Sequence, residues 1–190
     1  MRRLRNLMAI AALWFLLPVS VQAQGTTGGD VVDAVFEYVP YASVFALKAC
    51  GVESRDDWTQ LVVGTAASWV FTAGVTYTLK HTIHEWRPDH TDQRSFPSGH
   101  SAFAFAGATM LHKEYGKVSP WISVAGYSVA TLTAVSRVAR DRHHWYDAAA
   151  GAGIGILSTE LTYYVTDKFF KGRNVRMAFS GDRLDVAIGW

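Results

Sequence analysis

The chain has 190 residues, a length that predicts a single domain. Hydrophobic residues make up 49% and charged residues only 18%, which excludes a disordered chain and is low in charge for a soluble domain. The formal net charge of +2 and the single cysteine exclude a strongly basic nucleic-acid binder and an internal disulfide. Cys50 is predicted to be a small buried hydrophobe.

Residues 1–23 are predicted to be a cleaved secretory signal peptide, with an uncleaved membrane anchor as the alternative. A basic start with Arg2, Arg3 and Arg5 precedes an apolar stretch over residues 7–17. Pro18 then breaks that stretch, and Val21-Gln22-Ala23 has the small-x-small pattern of a cleavage site. Cleavage would remove three arginines and no acids, so the formal charge of the mature chain would be −1.

The next part of the chain, residues 24–173, is predicted to be one helical domain of about five helices. The predicted helices cover residues 31–49 with an interruption at Pro40, 61–79, 101–111, 121–135 and 147–165. Residues 61–79 carry no charge and are long enough to cross a bilayer, although a buried helix of a soluble bundle would look similar. Asp30, Asp57 and Ser98 are candidate N-caps.

The C-terminal tail, residues 174–190, changes its pattern. Apolar and polar or small residues alternate on either side of Gly181-Asp182, which predicts two short strands joined as a hairpin. The pattern indicates no function. We expect the hairpin to pack on the end of the bundle or to lie at a membrane surface.

Charged and polar residues are crowded at one set of helix ends. Because neighbouring helices of an antiparallel bundle alternate in direction, the chain positions near 80, 100, 137 and 145 should all lie on the same side. The candidate site residues at these ends are Lys80, Arg87, Ser98, Gly99, His100, Arg137, His143 and Asp147.

The chemistry of these residues suits a phosphate group. Lys80, Arg87 and Arg137 are cations, and an arginine binds two oxygens at once. The start of a helix at Gly99 offers backbone N–H groups and the positive end of the helix dipole. His143 and Asp147 are four residues apart, so on a helix they can hydrogen-bond, which favours His143 as nucleophile.

Each of these residues also has a simpler interpretation. Lys80 and Arg87 would also serve as interfacial anchors of a membrane helix. Residues 97–99 would also form a turn with an N-cap, and His100 would also be structural. The remaining histidines are interpreted as surface or supporting residues: His81, His84, His90, His112 and His144. A zinc site is disfavoured by the surrounding cations, and no cofactor is predicted.

Three motifs together resemble the signature of the type-2 phosphatidic acid phosphatase superfamily, which also contains bacterial class A acid phosphatases and vanadium haloperoxidases. The motifs are Lys80-(six residues)-Arg87-Pro88, then Pro97-Ser98-Gly99-His100, then Ser136-Arg137-(five residues)-His143-(three residues)-Asp147. The resemblance covers residues 61–165. Only eight residues separate Pro88 from Pro97, which argues against the larger haloperoxidases.

The resemblance implies an all-α bundle and a metal-independent phosphohistidine mechanism. In that family, residues matching Lys80, Arg87, Ser98, Gly99 and Arg137 bind the phosphoryl oxygens. The resemblance further implies that His143 attacks phosphorus, Asp147 fixes its tautomer, and His100 protonates the leaving oxygen. His144 is the rival of His143 as nucleophile, because it is the next residue.

We therefore expect a phosphatase of the bacterial cell envelope with a periplasm-facing site, acting on undecaprenyl diphosphate, lipid A or phosphatidylglycerol phosphate. The expected partners are this lipid and the membrane, with no nucleic acid. A soluble periplasmic phosphatase of broad specificity is the first alternative. A membrane bundle that only binds anionic head groups is the second.

Overall fold

A computed structural model describes residues 33–170 and the backbone of two strands that follow them. After a helical turn at residues 33–36, five helices run in chain order. Their bounds are α1 Val39–Ala49, α2 Trp58–Thr82, α3 Gly99–Tyr115, α4 Pro120–Ala139 and α5 Trp145–Phe170. The strands are β1 Asn174–Ser180 and β2 Arg183–Gly189. The predicted all-α bundle with a hairpin tail is confirmed, and the predicted signal peptide lies outside the described residues.

The helix starts follow local capping chemistry. The Asp57 carboxylate accepts a hydrogen bond from the N–H of Gln60 at 2.8 Å, and Ser98 caps α3 in the same way through the N–H of Ser101. These two predicted N-caps are confirmed, whereas Asp30 lies outside the described residues. Pro40 and Pro120 stand in the first turns of α1 and α4, where a missing N–H costs no intrahelical hydrogen bond.

Helix α3 is the centre of the bundle, because it contacts each of the other four helices. Its alanines at 102, 104, 106 and 108 are fully buried, and Met110 and Tyr115 extend the buried surface toward its C-terminal end. Small side chains on a central helix let neighbouring helices approach closely on several sides. The residues at the start of α3 are thereby surrounded by the neighbouring helices at one end of the bundle.

Glycines set the closest approach in the bundle, between α5 and α3. A Cβ atom added to Gly151 would fall on the carbonyl oxygen of Ser98, and one added to Gly155 would fall on that of Ala102. By contrast, Gly153 has nothing within 4 Å of the position of such an atom. Glycine is therefore required at two of these three positions, and this contact fixes the start of α5 against the start of α3.

Several hydroxyl groups inside the bundle have hydrogen-bond partners. Thr65 donates to the carbonyl of Leu61 at 2.7 Å, one helical turn earlier, and the hydroxyls of Ser68 and Thr159 bond to each other at 2.8 Å. Such bonds offset the cost of burying hydroxyl groups. The many threonines and serines of α2 and α5 are thus compatible with a buried interface.

Two of the helices, α2 and α4, are long and apolar enough to cross a membrane by length and composition. Only 33% and 22% of the residues in their most apolar windows are buried inside the protein. Large apolar side chains stand exposed on α2, α4 and α5, including Val70, Leu132 and Leu157 at 62–69% exposure. The apolar surface of these helices is therefore mostly turned away from the protein core.

The tail forms the predicted antiparallel hairpin. Its register pairs Val175 with Ile188, Met177 with Val186 and Phe179 with Leu184, as the alternation requires. The turn residues 181–182 lie outside the described part. One expectation about the first helices is wrong: Cys50 ends α1 and is exposed rather than buried, because it follows the last packed turn of that helix.

Candidate active site

The charged helix ends meet around one cavity of about 270 Å³. Helix α2 contributes Lys80, the following loop Arg87, the start of α3 Gly99 and His100, the end of α4 Arg137, and the loop before α5 His143. Glu37 and Phe103 complete the lining. Six of the eight predicted site residues therefore line the same space, and the other two, Ser98 and Asp147, do not.

The two cations of the first motif are held by oxygen atoms of two loops, the one between α2 and α3 and the one between α4 and α5. The Lys80 ammonium donates to the carbonyl oxygen of Arg94 at 2.9 Å. The Arg87 guanidinium donates through Nε to Asp92 at 2.8 Å and through Nη1 to the carbonyl oxygen of Arg142 at 3.2 Å. These contacts hold both side chains at the cavity edge, so little rotamer freedom is lost when an anion binds.

Arg137 is almost fully buried, with 5% of its surface exposed. One of its terminal nitrogens, Nη1, donates to the Asp33 carboxylate at 3.2 Å. A buried guanidinium needs such a partner. Removing one partner of a buried ion pair typically destabilises a protein by about 3–5 kcal/mol, because the other charge is left unpaired. Asp33 thus keeps the third cation in place beside the cavity.

The start of α3 provides polar backbone groups. The Ser98 hydroxyl accepts from the N–H and the hydroxyl of Ser101, at 3.4 and 3.1 Å, so it serves as the helix cap. The N–H groups of Gly99 and His100 come before any intrahelical acceptor, which makes this helix end a place for an anion. A Cβ on Gly99 would make only ordinary contacts of 3.8 and 3.9 Å, so the protein itself leaves space here for a ligand.

His143 is buried, and its Nδ1 lies 2.8 Å from the carbonyl oxygen of Ser95. A carbonyl oxygen only accepts, so Nδ1 carries the proton and Nε2 keeps its lone pair. Burial lowers the pKa of His143, and the nearby charges of Lys80, Arg87 and Arg137 lower it further. The imidazole is therefore neutral and holds the tautomer that a nucleophile at Nε2 requires.

Asp147 acts on His143 less directly than the spacing suggests. Its Oδ2 is 3.8 Å from Nδ1 of His143, longer than a hydrogen bond. The same oxygen instead accepts from the hydroxyl of Ser95, whose carbonyl oxygen holds the imidazole. The structure thus replaces the predicted direct hydrogen bond with one through Ser95. The reason is that α5 begins at Trp145, so His143 precedes the helix and the four-residue helical spacing does not apply.

The neighbouring histidine, His144, does not line the cavity. Its backbone N–H and its Nδ1 lie 2.8 and 3.3 Å from Oδ2 of Asp147, and its ring stacks on Tyr146. Of these two imidazoles, only that of His143 lines the cavity with the cations. The geometry therefore favours His143 over His144 as nucleophile.

Several residues of the site were not found from the sequence. Asp92 and Ser95 lie in the loop between the first two motifs and hold Arg87 and His143. Asp33 and Glu37 come from the segment before α1, far from the motifs in the chain. The available signal was two acids four residues apart in an otherwise apolar predicted helix, a position where a buried charge needs a partner.

One group of side chains has the composition of a cation site. Glu85, His144 and Asp147 each place a ligand atom within 4.8 Å of the others. Each of the three already has a hydrogen-bond partner, since Tyr146 donates to Glu85 and His144 contacts Asp147. The group lies outside the cavity lining, so it has no direct access to a phosphate bound there.

Comparison with known proteins identifies the family. The description "PAP2 superfamily" belongs to the sequence profile that matches residues 57–171. Lipid A 1-phosphatase of Porphyromonas gingivalis is 36% identical over 170 residues, which are 87% of this chain and 38% of that protein. Lipid phosphate phosphatase 1 of Arabidopsis thaliana is 36% identical over 81 residues, 37% of this chain and 25% of the plant protein.

A solved structure shows the same fold. The crystal structure of Aquifex aeolicus LpxE superposes with a TM-score of 0.55 at 21% identity, covering 85% of this chain and 93% of that one. The chain spans well under half the length of the two curated relatives. The profile match extends over more than half of the residues, and it includes every motif that lines the cavity. The chain is a member of the PAP2 superfamily.

Proposed function

We propose that this protein is a metal-independent phosphatase that hydrolyses lipid phosphomonoesters or diphosphates through a phosphohistidine intermediate. The observation that carries the proposal is one cavity that joins a neutral imidazole to three cations and a helix start. A tetrahedral anion is the ligand that such a cavity fits best. Nucleophile, cations and a second histidine are the groups that phosphoryl transfer needs.

In the proposed reaction, Nε2 of His143 attacks phosphorus in line with the leaving oxygen. The P–O bond breaks, its electron pair stays on the leaving oxygen, and that oxygen takes a proton from His100. Water then attacks the phosphohistidine while His100 accepts a proton from it, and the electron pair of the P–N bond returns to His143. Lys80, Arg87, Arg137 and the N–H groups at Gly99 stabilise the charge on the equatorial oxygens.

The proposed substrate is a lipid. The site lies at one end of a bundle whose helices α2, α4 and α5 expose large apolar side chains, and such a surface is suited to a bilayer. A relative that matches 87% of this chain is named lipid A 1-phosphatase. We therefore place a phosphorylated glycolipid of the lipid A type first, ahead of undecaprenyl diphosphate and phosphatidylglycerol phosphate.

We further propose that the site faces the periplasm from the inner membrane. The end of the bundle opposite the site carries Lys113, Lys117 and Lys168, and Lys171 and Arg173 follow the last helix in the sequence. Basic residues favour the cytoplasmic side of a membrane protein. The cavity would then open on the outer side of that membrane.

The test is phosphate release by the purified full chain from lipid A, undecaprenyl diphosphate, phosphatidylglycerol phosphate and soluble phosphate esters. We expect His143→Ala to reduce turnover by about 10³-fold or more, since nucleophile removal has effects of that size or larger. His112→Ala is the matched control, because His112 lies at the far end of α3.

Two results would contradict the proposal. Retained turnover in His143→Ala together with loss in His144→Ala would move the nucleophile to the neighbouring residue. Hydrolysis of soluble esters only, with release of the protein by osmotic shock, would favour the soluble phosphatase instead.

A further inference from the structure

The segment before α1 forms a wall of the cavity, although it lies outside the residues that the superfamily profile matches. It brings two buried acids, Asp33 and Glu37, to a site that otherwise consists of cations and histidines. The segment is held there by the tight packing of the helix that follows it: a Cβ on Gly107 of α3 would lie 2.8 Å from the ring of Tyr41 in α1. The motifs of the family assign no role to either acid, and the two have different surroundings.

Asp33 is fully satisfied by the end of α4. Its carboxylate accepts from the hydroxyl of Ser136 at 2.7 Å and from Nη1 of Arg137 and of Arg140, each at 3.2 Å. It does not line the cavity. Three donors hold this buried carboxylate in one position, so Asp33 keeps Arg137 in place.

Glu37 lines the cavity, and its Oε2 lies 3.7 Å from Nε2 of His100. That distance is too long for a hydrogen bond but short enough for a strong charge interaction in a buried site. An ionised carboxylate beside a phosphate would repel it. The arrangement is therefore favourable only if a positive imidazolium stands between the two, or if the carboxyl is protonated.

The surroundings of Glu37 explain why its protonation is finely balanced. Burial raises the pKa of Glu37 to about 7, and Asp33 adds to the rise, whereas a hydrogen bond from Tyr38 and the charge of Arg137 oppose it. Across the cavity stand His100 and the remaining charged or titratable lining groups: Lys80, Arg87 and His143. The carboxyl thus titrates near neutral pH, whereas burial and the charges of Arg137, Lys80 and Arg87 lower the pKa of His100 to about 3 in the empty cavity. A bound phosphate dianion favours the charged imidazolium, and the titrations of the two neighbouring groups are linked.

His100 needs such a partner to act as general acid. Three cations surround it and disfavour a further positive charge. We propose that Glu37 is a positioning residue that keeps His100 protonated while a phosphate ester is bound. This inference rests on the proposed phosphatase function. Glu37 and His100 would then form a carboxylate–imidazole pair on the side of the cavity where the leaving oxygen is protonated.

The experiment compares Glu37→Gln with wild type on two substrates of the same enzyme. One is an alkyl phosphate lipid, whose leaving oxygen needs a proton, and the other is p-nitrophenyl phosphate, whose leaving group does not. Because glutamine lacks the negative charge, His100 should lose its proton at lower pH. We expect the alkaline limb of the kcat profile for the lipid to move down by about one pH unit, since kcat reports ionisations in the complex with bound substrate.

At a pH above that limb, turnover of the lipid should fall by about 10-fold, whereas turnover of p-nitrophenyl phosphate should change little. Vanadate inhibition should remain, since removing a negative charge does not weaken anion binding. Glu53→Gln is the matched control, because Glu53 is an exposed acid remote from the cavity.

The outcomes separate this inference from the proposed function. An equal fall on both substrates with an unmoved limb, or no change on either, would overturn the role of Glu37 alone. Loss of activity together with loss of vanadate binding, measured directly on the purified variant, would show that Glu37 supports the fold, which also overturns it. A wild-type protein that hydrolyses neither substrate would overturn the phosphatase function and this inference together.

Discussion

At the scale of single residues, the side chains of the site are held in position by other residues that are themselves buried. Ser95, His143 and Asp147 form a chain in which one serine serves both partners, through its hydroxyl on one side and its carbonyl oxygen on the other. Arg137 depends in the same way on Asp33. In a low-dielectric interior, such contacts decide tautomer and orientation more strongly than they would at a surface.

Arg137→Lys should be strongly impaired although the charge is kept. A lysine ammonium makes a point contact where the guanidinium makes two parallel ones, and it is too short to reach both Asp33 and a phosphate. We expect kcat/KM for phosphate esters to fall by about 10²-fold or more. Arg140→Lys is the control, because Arg140 also contacts Asp33 but does not line the cavity. Near-normal turnover of Arg137→Lys would contradict the phosphate-binding role.

Ser95→Ala tests whether Asp147 acts on the nucleophile through the serine hydroxyl. Alanine keeps the carbonyl oxygen that holds His143 but removes the hydroxyl group that donates a hydrogen bond to Asp147. We expect kcat to fall by about 10- to 100-fold, from loss of a charge-assisted hydrogen bond of roughly 1.5–3 kcal/mol. Asp147→Asn should lower kcat further, and the double variant should be no worse than Asp147→Asn alone. Fully additive losses in this cycle would show that Asp147 acts by another route.

At the scale of helices, the close contact between α5 and α3 places His143, the proposed nucleophile. The carbonyl oxygens of Ser98 and Ala102 occupy the space that side chains at Gly151 and Gly155 would need. The N–H of Ser98 also donates to the carbonyl of Asp147 at 3.0 Å, which ties the two helix starts together. The loop that carries His143 therefore lies beside the start of α3, because Gly151 and Gly155 let α5 approach α3 closely.

Gly155→Ala should destabilise the protein, because its Cβ would meet the backbone of Ala102 and lie 2.8 Å from the N–H nitrogen of Ala106. Backbone has to move, and the expected cost is about 1–3 kcal/mol, seen as a lower melting temperature in detergent. Gly153→Ala is the matched control with open space around it. That variant should be neutral or more stable by roughly 0.5–1 kcal/mol. Equal melting temperatures for the two variants would contradict the close packing.

At the scale of the whole molecule, apolar surface and charge are separated along the bundle axis. The cavity with its cations lies at one end, Lys113 and Lys117 lie at the other, and exposed apolar residues cover the sides. Trp145 stands at the cavity end with 72% exposure and Trp121 at the opposite end with 77%. Tryptophans at two levels of an apolar surface are typical of the two interfaces of a membrane protein.

The proposed orientation predicts the outcome of reporter fusions. Alkaline phosphatase is active only outside the cytoplasm, so a fusion after Asp141, at the cavity end, should be active. A fusion after Glu114, at the opposite end of α3, should be inactive. Membrane extraction provides the companion measurement, with the protein released by detergent and not by high salt. Activity after residue 114 but not after 141 would reverse the orientation.

The sequence alone determined the helices, their order, the hairpin and the group of motif residues. Apolar patterning specifies a helical bundle, and the alternation of helix direction brings Lys80, His100, Arg137 and His143 to one end without further information. These properties depend on short stretches of sequence or on the order of the helices, so they can be predicted from the residue pattern of one chain.

The tertiary structure decided which groups touch. Whether Asp147 bonds His143 directly or through Ser95 depends on where α5 begins, by a margin of two residues. The choice between His143 and His144 depends on which imidazole points inward. Asp33 and Glu37 join the site only because α1 packs on α3, a contact between segments about 65 residues apart in the chain. Hydrogen bonds require positions accurate to a few tenths of an ångström, and only the packing of the whole bundle fixes them to that degree.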